Sequence, residues 1–308
     1  MKALVVGYGS IGKRHARLLG ERGCSVGVVS RRDVEVEPRY PTLESAFDDQ
    51  VPRYVVVANR TAEHADTLKE LTLLSFSGKV LVEKPLTQRA CRVPDDLPCD
   101  AFVAYNFRFH PLLKTLRQHL ENAIIVSVDA YAGQYLPDWR PDWDYRQTYS
   151  AHQEQGGGVL RDLSHELDYL TWILGGWNRV AALGGHFSSL EIDSDDVFTL
   201  LMETPRCPAT VLQLNYLDRI PHRTVRVNTF DRTFELDLIE NTLSIDGKQV
   251  DSRDIETDLT YRKEHEALLE GSSKALCTLE EGKEIMQLIE AAEKSAATHT
   301  WIENNASE

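Results

Sequence analysis

Several groups of residues in this chain have types and spacings that can do chemistry. Lys84 closes the apolar run Val80-Leu81-Val82 within Glu83-Lys84-Pro85. Asp162, His165 and Asp168 follow at steps of three. Gly7, Gly9 and Gly12 stand at GxGxxG spacing around Ser10 and Ile11, and Ser30-Arg31-Arg32 end a later apolar run. A lysine partly desolvated at a strand end, beside a positively charged ligand group, has its pKa drawn down toward acid–base range. Residues three apart share a helical face, so a histidine there can shuttle a proton while an acid orients its ring. Glycines at this spacing allow a tight turn, backbone approach to a pyrophosphate and close helix packing, with the helix N-terminus facing the phosphates. Taken singly, each group also has a plain reading: a chance glycine cluster, a solvated lysine ending a strand, a capped helix turn with one satisfied histidine.

The elements that must position these groups are legible in the hydrophobic pattern. Strand patterns at 3–6, 26–30, 54–58, 80–83 and 101–105 alternate with helix patterns at 11–22, 42–48, 61–74 and 111–122. Val55-Val56-Val57 and Val80-Leu81-Val82 are continuous apolar runs, as buried parallel strands require. The stretch 33–41 holds two prolines and no helical period, so the crossover after the second strand is short. This alternation predicts an α/β Rossmann domain, a doubly wound parallel sheet, over residues 1–118. The pattern then changes. A long strand at 123–133, an irregular aromatic segment at 134–158 and a helix at 162–174 ending at Gly175-Gly176 precede closely spaced strands at 179–183, 196–203, 209–216, 224–228, 232–238 and 242–245. Asp246-Gly247 signals a hairpin. The last helix, 279–297, opens on the capping box Thr278 and Glu281 and carries Ile285, Leu288, Ile289 and Ala292 on one face. Residues 119–308 are therefore expected to form an α+β domain with an open, predominantly antiparallel sheet, its C-terminal helix packing back on the first domain and its tail from Asn304 frayed.

Composition narrows the partners. The 308 residues are 42% hydrophobic and 27% charged, with a formal net charge of −14. That charge argues against nucleic acid. No apolar run is long enough to span a membrane, and a strand and glycine loop occupy the place of a signal peptide. Cys24, Cys91, Cys99, Cys207 and Cys277 form no CxxC pair, and the histidines form no HxxxH pair. A reduced cytoplasmic protein without structural disulfides or metal is expected. His15, beside Lys13 and Arg14 on the first helix, is read as solvated.

In combination, the glycine loop, Glu83-Lys84-Pro85, Tyr105-Asn106-Phe107-Arg108-Phe109-His110-Pro111, Gly156-Gly157-Gly158-Val159-Leu160-Arg161-Asp162 and the closing Thr278-Leu279-Glu280-Glu281-Gly282 helix resemble the Gfo/Idh/MocA family of oxidoreductases. The resemblance covers nearly the whole chain. It implies that Lys84 is catalytic and points at a nicotinamide, and that Glu83 fixes Lys84 and the nicotinamide ribose. It also makes Lys84–Pro85 a candidate cis peptide. The family places its histidine four residues after the aspartate, whereas His165 follows Asp162 by three, as after a one-residue deletion. Both spacings keep one face, and the division of acid–base work between Lys84 and His165 stays open. Asn59 falls where the family has a cofactor-edge loop, and Thr61 is a cap candidate. Asn106, Arg108, Arg161 and Asp168 lie in the matching motifs as substrate candidates, the two arginines for a carboxylate or phosphate. The resemblance further implies a homodimer or homotetramer assembled through the open sheet face.

The residue ending the second strand selects the cofactor. An acid there holds the ribose 2′-OH of NAD, whereas Ser30, Arg31 and Arg32 suit the 2′-phosphate of NADP. NADP is thus preferred over NAD, unless Asp33 reaches the ribose and the arginines are ordinary loop charges. Trp139 lies among tyrosines, aspartates and arginines between 131 and 149, a composition suited to sugar rings and equally to a packed loop or subunit contact. The expected activity is hydride transfer between the nicotinamide and a secondary alcohol or ketone of a sugar, nucleotide-sugar or sialic-acid-like sugar. Two rivals remain: imine or enone reduction on the same scaffold, and a catalytically silent nucleotide-binding regulator.

Overall fold

In the computed structural model, which describes residues 1–93 and 97–304, the N-terminal alternation becomes β1 (Lys2–Val6), α1 (Ser10–Glu21), β2 (Ser25–Val29), β3 (Arg39–Tyr40), α2 (Leu43–Asp49), β4 (Tyr54–Val57), α3 (His64–Leu73), β5 (Lys79–Val82) and β6 (Asp100–Val103). The chain continues through α4 (Pro111–Leu120), β7 (Ile125–Gly133), α5 (Val159–Asp162), α6 (Ser164–Leu174), β8 (Arg179–Gly185), β9 (Val197–Thr204) and β10 (Cys207–Asn215). It closes with β11 (His222–Thr229), β12 (Thr233–Asp237), β13 (Thr242–Ile245), β14 (Lys248–Ser252), α7 (Leu259–Glu270), β15 (Cys277–Thr278), α8 (Leu279–Thr298) and β16 (Ile302–Glu303).

Two compact units result. The first holds residues 1–109 and 258–286, and the second holds 110–257 and 287–308. A single boundary at 118 thus gives way to a break at 109 and a later return of the chain to the first unit.

The first unit contains a sheet in the order β15-β6-β5-β4-β1-β2-β3, parallel except where β15 meets β6. Its central strand β4 is buried along its whole length, as a parallel sheet covered on both faces requires. The registers align Val6 with Val29 and Val57, and Val57 with Val82. Gly7, Ser30, Ala58 and Glu83 therefore leave the sheet along one edge.

The second unit is built on a sheet in the order β14-β13-β12-β11-β7-β10-β9-β8-β16, antiparallel except for β7 beside β10. Burial alternates along β9, as a strand with one covered face requires. Asp246 and Gly247 take φ of 52° and 74° in the β13–β14 hairpin, the two positive values of a type I′ turn. The capping box forms as expected: Glu281 N–H donates to Thr278 Oγ1 at 3.2 Å, and Thr278 N–H donates to Glu281 Oε2 at 2.8 Å.

One expected helix differs. The stretch 162–174 breaks at Leu163 (φ −96°, ψ 31°), so Asp162 ends the single turn α5 while His165 and Asp168 sit on α6. Of the tail expected to fray, residues 305–308 lie outside the described residues.

Candidate functional site

The glycine loop fits a dinucleotide. A Cβ on Gly12 would stand 2.1 Å from the Gly7 carbonyl oxygen, so only glycine lets α1 start this close to the turn, whereas nothing lies within 4 Å of a Cβ on Gly9. Gly9 is the N-cap of α1, and no side chain caps that helix and no acid stands in its first turn. A helix start of this kind could hold an anion at the amides around Ser10 and Ile11. Ser30 Oγ accepts from the Arg32 amide at 3.2 Å. The Arg31 side chain is 88% exposed and lies 3.8 Å from Glu63; Asp33 pairs with Arg39 at 3.3 Å. Asn59 Nδ2 donates to Thr67 Oγ1 at 2.9 Å, while its buried Oδ1 has no hydrogen bond. Thr61 begins a short 3-10 turn whose N-cap is Arg60.

Beyond β5, Glu83 and residues 85–87 are buried and Lys84 alone between 80 and 87 is half-exposed. The Lys84–Pro85 peptide is cis. Glu83 Oε2 accepts the Lys84 amide at 3.1 Å, and its Oε1 accepts from His15 Nε2 at 2.8 Å. His15 is therefore not solvated: it is 0% exposed, with Gly12, Leu18 and Leu19 on the buried face of α1. Its Nδ1 lies 2.9 Å from His265 Nε2, and His265 Nδ1 lies 2.9 Å from the Tyr54 hydroxyl. Nothing in the sequence spacing links His265 to this place, whereas the 12-15-18-19 period of α1 already put His15 inside.

Asn106 and Arg108 also belong to the first unit. Asn106 Nδ2 donates to Thr260 Oγ1 at 2.9 Å and its buried Oδ1 has no hydrogen bond. Arg108 is 1% exposed, and its Nη1 donates to Glu281 Oε1 at 2.9 Å. That pairing meets its charge inside the fold.

In the second unit, the Gly156–Gly158 turn feeds α5. Gly158 takes φ of 117°, and a Cβ there would stand 2.2 Å from Asp195 Oδ1. Asp195 Oδ2 accepts the Leu160 amide at 3.0 Å, and burial pushes its carboxyl up to about 6. Asp162 is buried and accepts the Tyr216 hydroxyl at 2.7 Å. Tyr149 also bonds to Asp162. Burial first, then the Asp162 charge, hold the Tyr216 phenol well above the usual tyrosine range. The Trp139 ring meets Tyr216 edge-on at 5.2 Å. The sequence reading named Asp162 and Trp139 but not Tyr216, which lies just beyond β10 with no motif to mark it. His165 is the one residue of 156–171 that is not buried. Asp168 is 0% exposed, and Arg161 Nη1 donates to Glu293 Oε1 at 2.6 Å. Lys84 thus stands in the first unit, and Asp162, His165 and Asp168 in the second. Among the described residues no group of three His, Cys, Asp or Glu could hold a metal, and no helix is long and apolar enough to cross a membrane.

Comparison with known proteins gives two family matches. Residues 1–93 match the oxidoreductase family, NAD-binding Rossmann fold, and residues 113–230 match the Gfo/Idh/MocA C-terminal domain. The levoglucosan dehydrogenase of Pseudarthrobacter phenanthrenivorans is 23% identical over 180 residues, 54% of this chain and 44% of that protein. The matched stretch spans less than half the length of such curated relatives. The fold is shared with solved structures over nearly whole chains. These include levoglucosan dehydrogenase with NADH (TM-score 0.84, 15% identity, 98% of each chain). GenD2 from gentamicin A biosynthesis, in complex with NAD, superposes with TM-score 0.80 at 21% identity over 99% of this chain and 96% of that one. The UDP-N-acetylglucosamine 3-dehydrogenase GnnA of Acidithiobacillus ferrooxidans does so with TM-score 0.80 at 18% identity over 97% and 99%.

Proposed function

The chain belongs to the Gfo/Idh/MocA family of oxidoreductases, and from that premise we propose that it is a nicotinamide-dependent dehydrogenase acting on a secondary alcohol or ketone of a carbohydrate. One observation carries the reading. In each of two buried segments, a single residue keeps partial exposure, and it is titratable: Lys84 within 80–87 and His165 within 156–171. The nicotinamide, when bound, accepts or supplies the hydride. Gly7, Gly9, Ser10, Ile11 and Gly12 hold the pyrophosphate, and Asn59 and Glu83 serve the nicotinamide end. Lys84 and His165 hold or move the proton at the substrate oxygen, and Asp162, fixed by Tyr216 and Tyr149, tunes that acid–base work. Trp139 and Tyr149 offer aromatic faces to a sugar ring, with Asn106 and Asp168 as polar contacts. The carbohydrate class is supported by the names of the dehydrogenases that share the fold. NADP preference is supported by Arg31, whose exposed guanidinium is available to a 2′-phosphate.

Titration with NADPH and NADH, followed by nicotinamide fluorescence, tests the cofactor. Arg31→Ala with Arg32→Ala should weaken NADPH by about 10- to 100-fold, the value of charge-assisted hydrogen bonds, and leave NADH unchanged. Equal weakening removes the 2′-phosphate assignment, and binding of neither removes the reading. A screen of sugars and nucleotide-sugars then tests the chemistry. Lys84→Met should lower turnover by about 100-fold or more while NADPH still binds. Turnover of imines but not sugars, or binding without any turnover, would shift the assignment to a reductase or a regulator.

A further inference from the structure

The interior of the first unit holds a line of ionisable side chains that hydride transfer does not itself require. Tyr54, at the start of β4, His265 on α7 and His15 on α1 run to Glu83 through contacts of 2.9, 2.9 and 2.8 Å. His15 and His265 are 0% exposed and Tyr54 is 1% exposed. With Glu83 ionised and both rings neutral, the donors are ordered one way. A carboxylate only accepts, so His15 Nε2 carries hydrogen; His15 Nδ1 then accepts from His265 Nε2–H, and His265 Nδ1 accepts the Tyr54 O–H. Every donor points toward Glu83. Burial holds His265 well below the usual imidazole range, with the adjacent His15 and Arg22 adding to it. The other groups facing the line are Tyr261, edge-on to His15 at 5.7 Å, Arg14 over the Tyr261 ring at 5.1 Å, and Glu264 and Cys24 toward Tyr54.

The far end of this line is one bond from the proposed catalytic lysine. Glu83 offers Oε1 to His15 and Oε2 to the Lys84 amide. A carboxylate held on one oxygen cannot rotate away from what the other oxygen holds. We propose that Tyr54, His265 and His15 form a directed hydrogen-bond relay that locks the Glu83 carboxylate onto the Lys84 amide, making His15 and His265 positioning residues for the reaction. The role in the reaction rests on Lys84 acting as proposed above; the relay itself does not. Buried polar networks of this kind fix one geometry when fully satisfied and lose it when one member is removed.

The relay is read in the full-length chain without turnover. Long-range proton–nitrogen spectra of the imidazoles should show His15 and His265 both as Nε2–H tautomers at neutral pH. His15→Gln keeps a donor toward Glu83, and His15→Leu does not. Hydrogen exchange at the Lys84 amide should quicken about tenfold or more in His15→Leu, the worth of one hydrogen bond. It should stay near the parent rate in His15→Gln, with β1 amides unchanged in both. Once a substrate is found, His15→Leu should lower kcat by about 10- to 100-fold, as loss of a supporting hydrogen-bond partner does, with KM little moved. Where the leucine variant does not fold, Tyr54→Phe removes only the terminal hydroxyl and should shift His265 toward a mixture of tautomers. An Nδ1–H tautomer at either histidine, or equal Lys84 exchange in parent, Gln and Leu proteins, overturns the relay. Failure to find any substrate overturns the proposed function and leaves these two readouts to decide the relay.

Discussion

Arg108 is the largest fully buried side chain among the described residues, and its charge is met by Glu281. Removing one partner of such a pair leaves an uncompensated buried group, which typically costs several kcal/mol. Glu281→Ala, which leaves the buried guanidinium without this carboxylate, should therefore lower stability by roughly 3 kcal/mol in urea unfolding, and Glu281→Gln should recover part of it, since an amide oxygen still accepts. A loss too small to measure would mean that the pair does not hold the fold. Arg108 also shows what the sequence hid at this scale, and His15 what its helical period held but its charged neighbours masked. For an arginine, residue type alone favours the surface, and His15 stands beside Lys13 and Arg14. Inside the protein, Glu281 and Glu83 respectively supply the partners that make burial tolerable. Those partners lie 173 and 68 residues away in the chain, beyond any local pattern.

Elements were legible where apolar period and capping agreed. β4 and β5 follow from unbroken valine and leucine runs, and α8 begins where Thr278 and Glu281 cap it. α7 escaped the sequence reading because its buried face carries Thr260, Glu264 and His265 beside Ala267 and Leu268, so polar residues blur the period. The break at Leu163 escaped it because Asp162 and Ser164 both suit a helix start; the short α5 before it is held at its start by Asp195, which takes the Leu160 amide from a distant loop. That contact gives a pH-dependent prediction. The Asp195 carboxyl is raised from 3.8 to about 6 by burial, so the native state binds a proton that the unfolded chain has lost. Its contribution is full below about pH 4 and is lost as pH rises through about 6. Asp195→Asn keeps an acceptor for Leu160 without the charge. It should raise stability at pH 8 by up to about 3 kcal/mol and change little at pH 4, as read by thermal or urea unfolding at the two pH values. Equal effects at both would refute the charge as the cause.

Across the whole molecule the buried histidines set the opposite slope. His64, His110 and His265 are each held below the ordinary 6.5, with burial the first cause, and His110 falls to about 4. The unfolded chain takes up protons near 6.5 that the native state refuses, so stability is full above that value and declines as pH falls toward 4. His110 alone accounts for roughly 3 kcal/mol across that window. Unfolding midpoints should be level from pH 7 to 8 and drop steadily from 6.5 to 5; a rise over that interval would contradict the neutral, buried imidazoles. The order of units along the chain carries a further consequence. Residues 258–286 complete the first unit after all of 110–257 has been made. A ribosome therefore releases β6 with a bare edge, because its partner β15 is still unwritten, and His15 and Tyr54 wait for an imidazole that arrives last. Open edges and unmatched polar groups are what chaperones shield. For this chain, the nucleotide-binding half is the first to be synthesised and among the last to be finished.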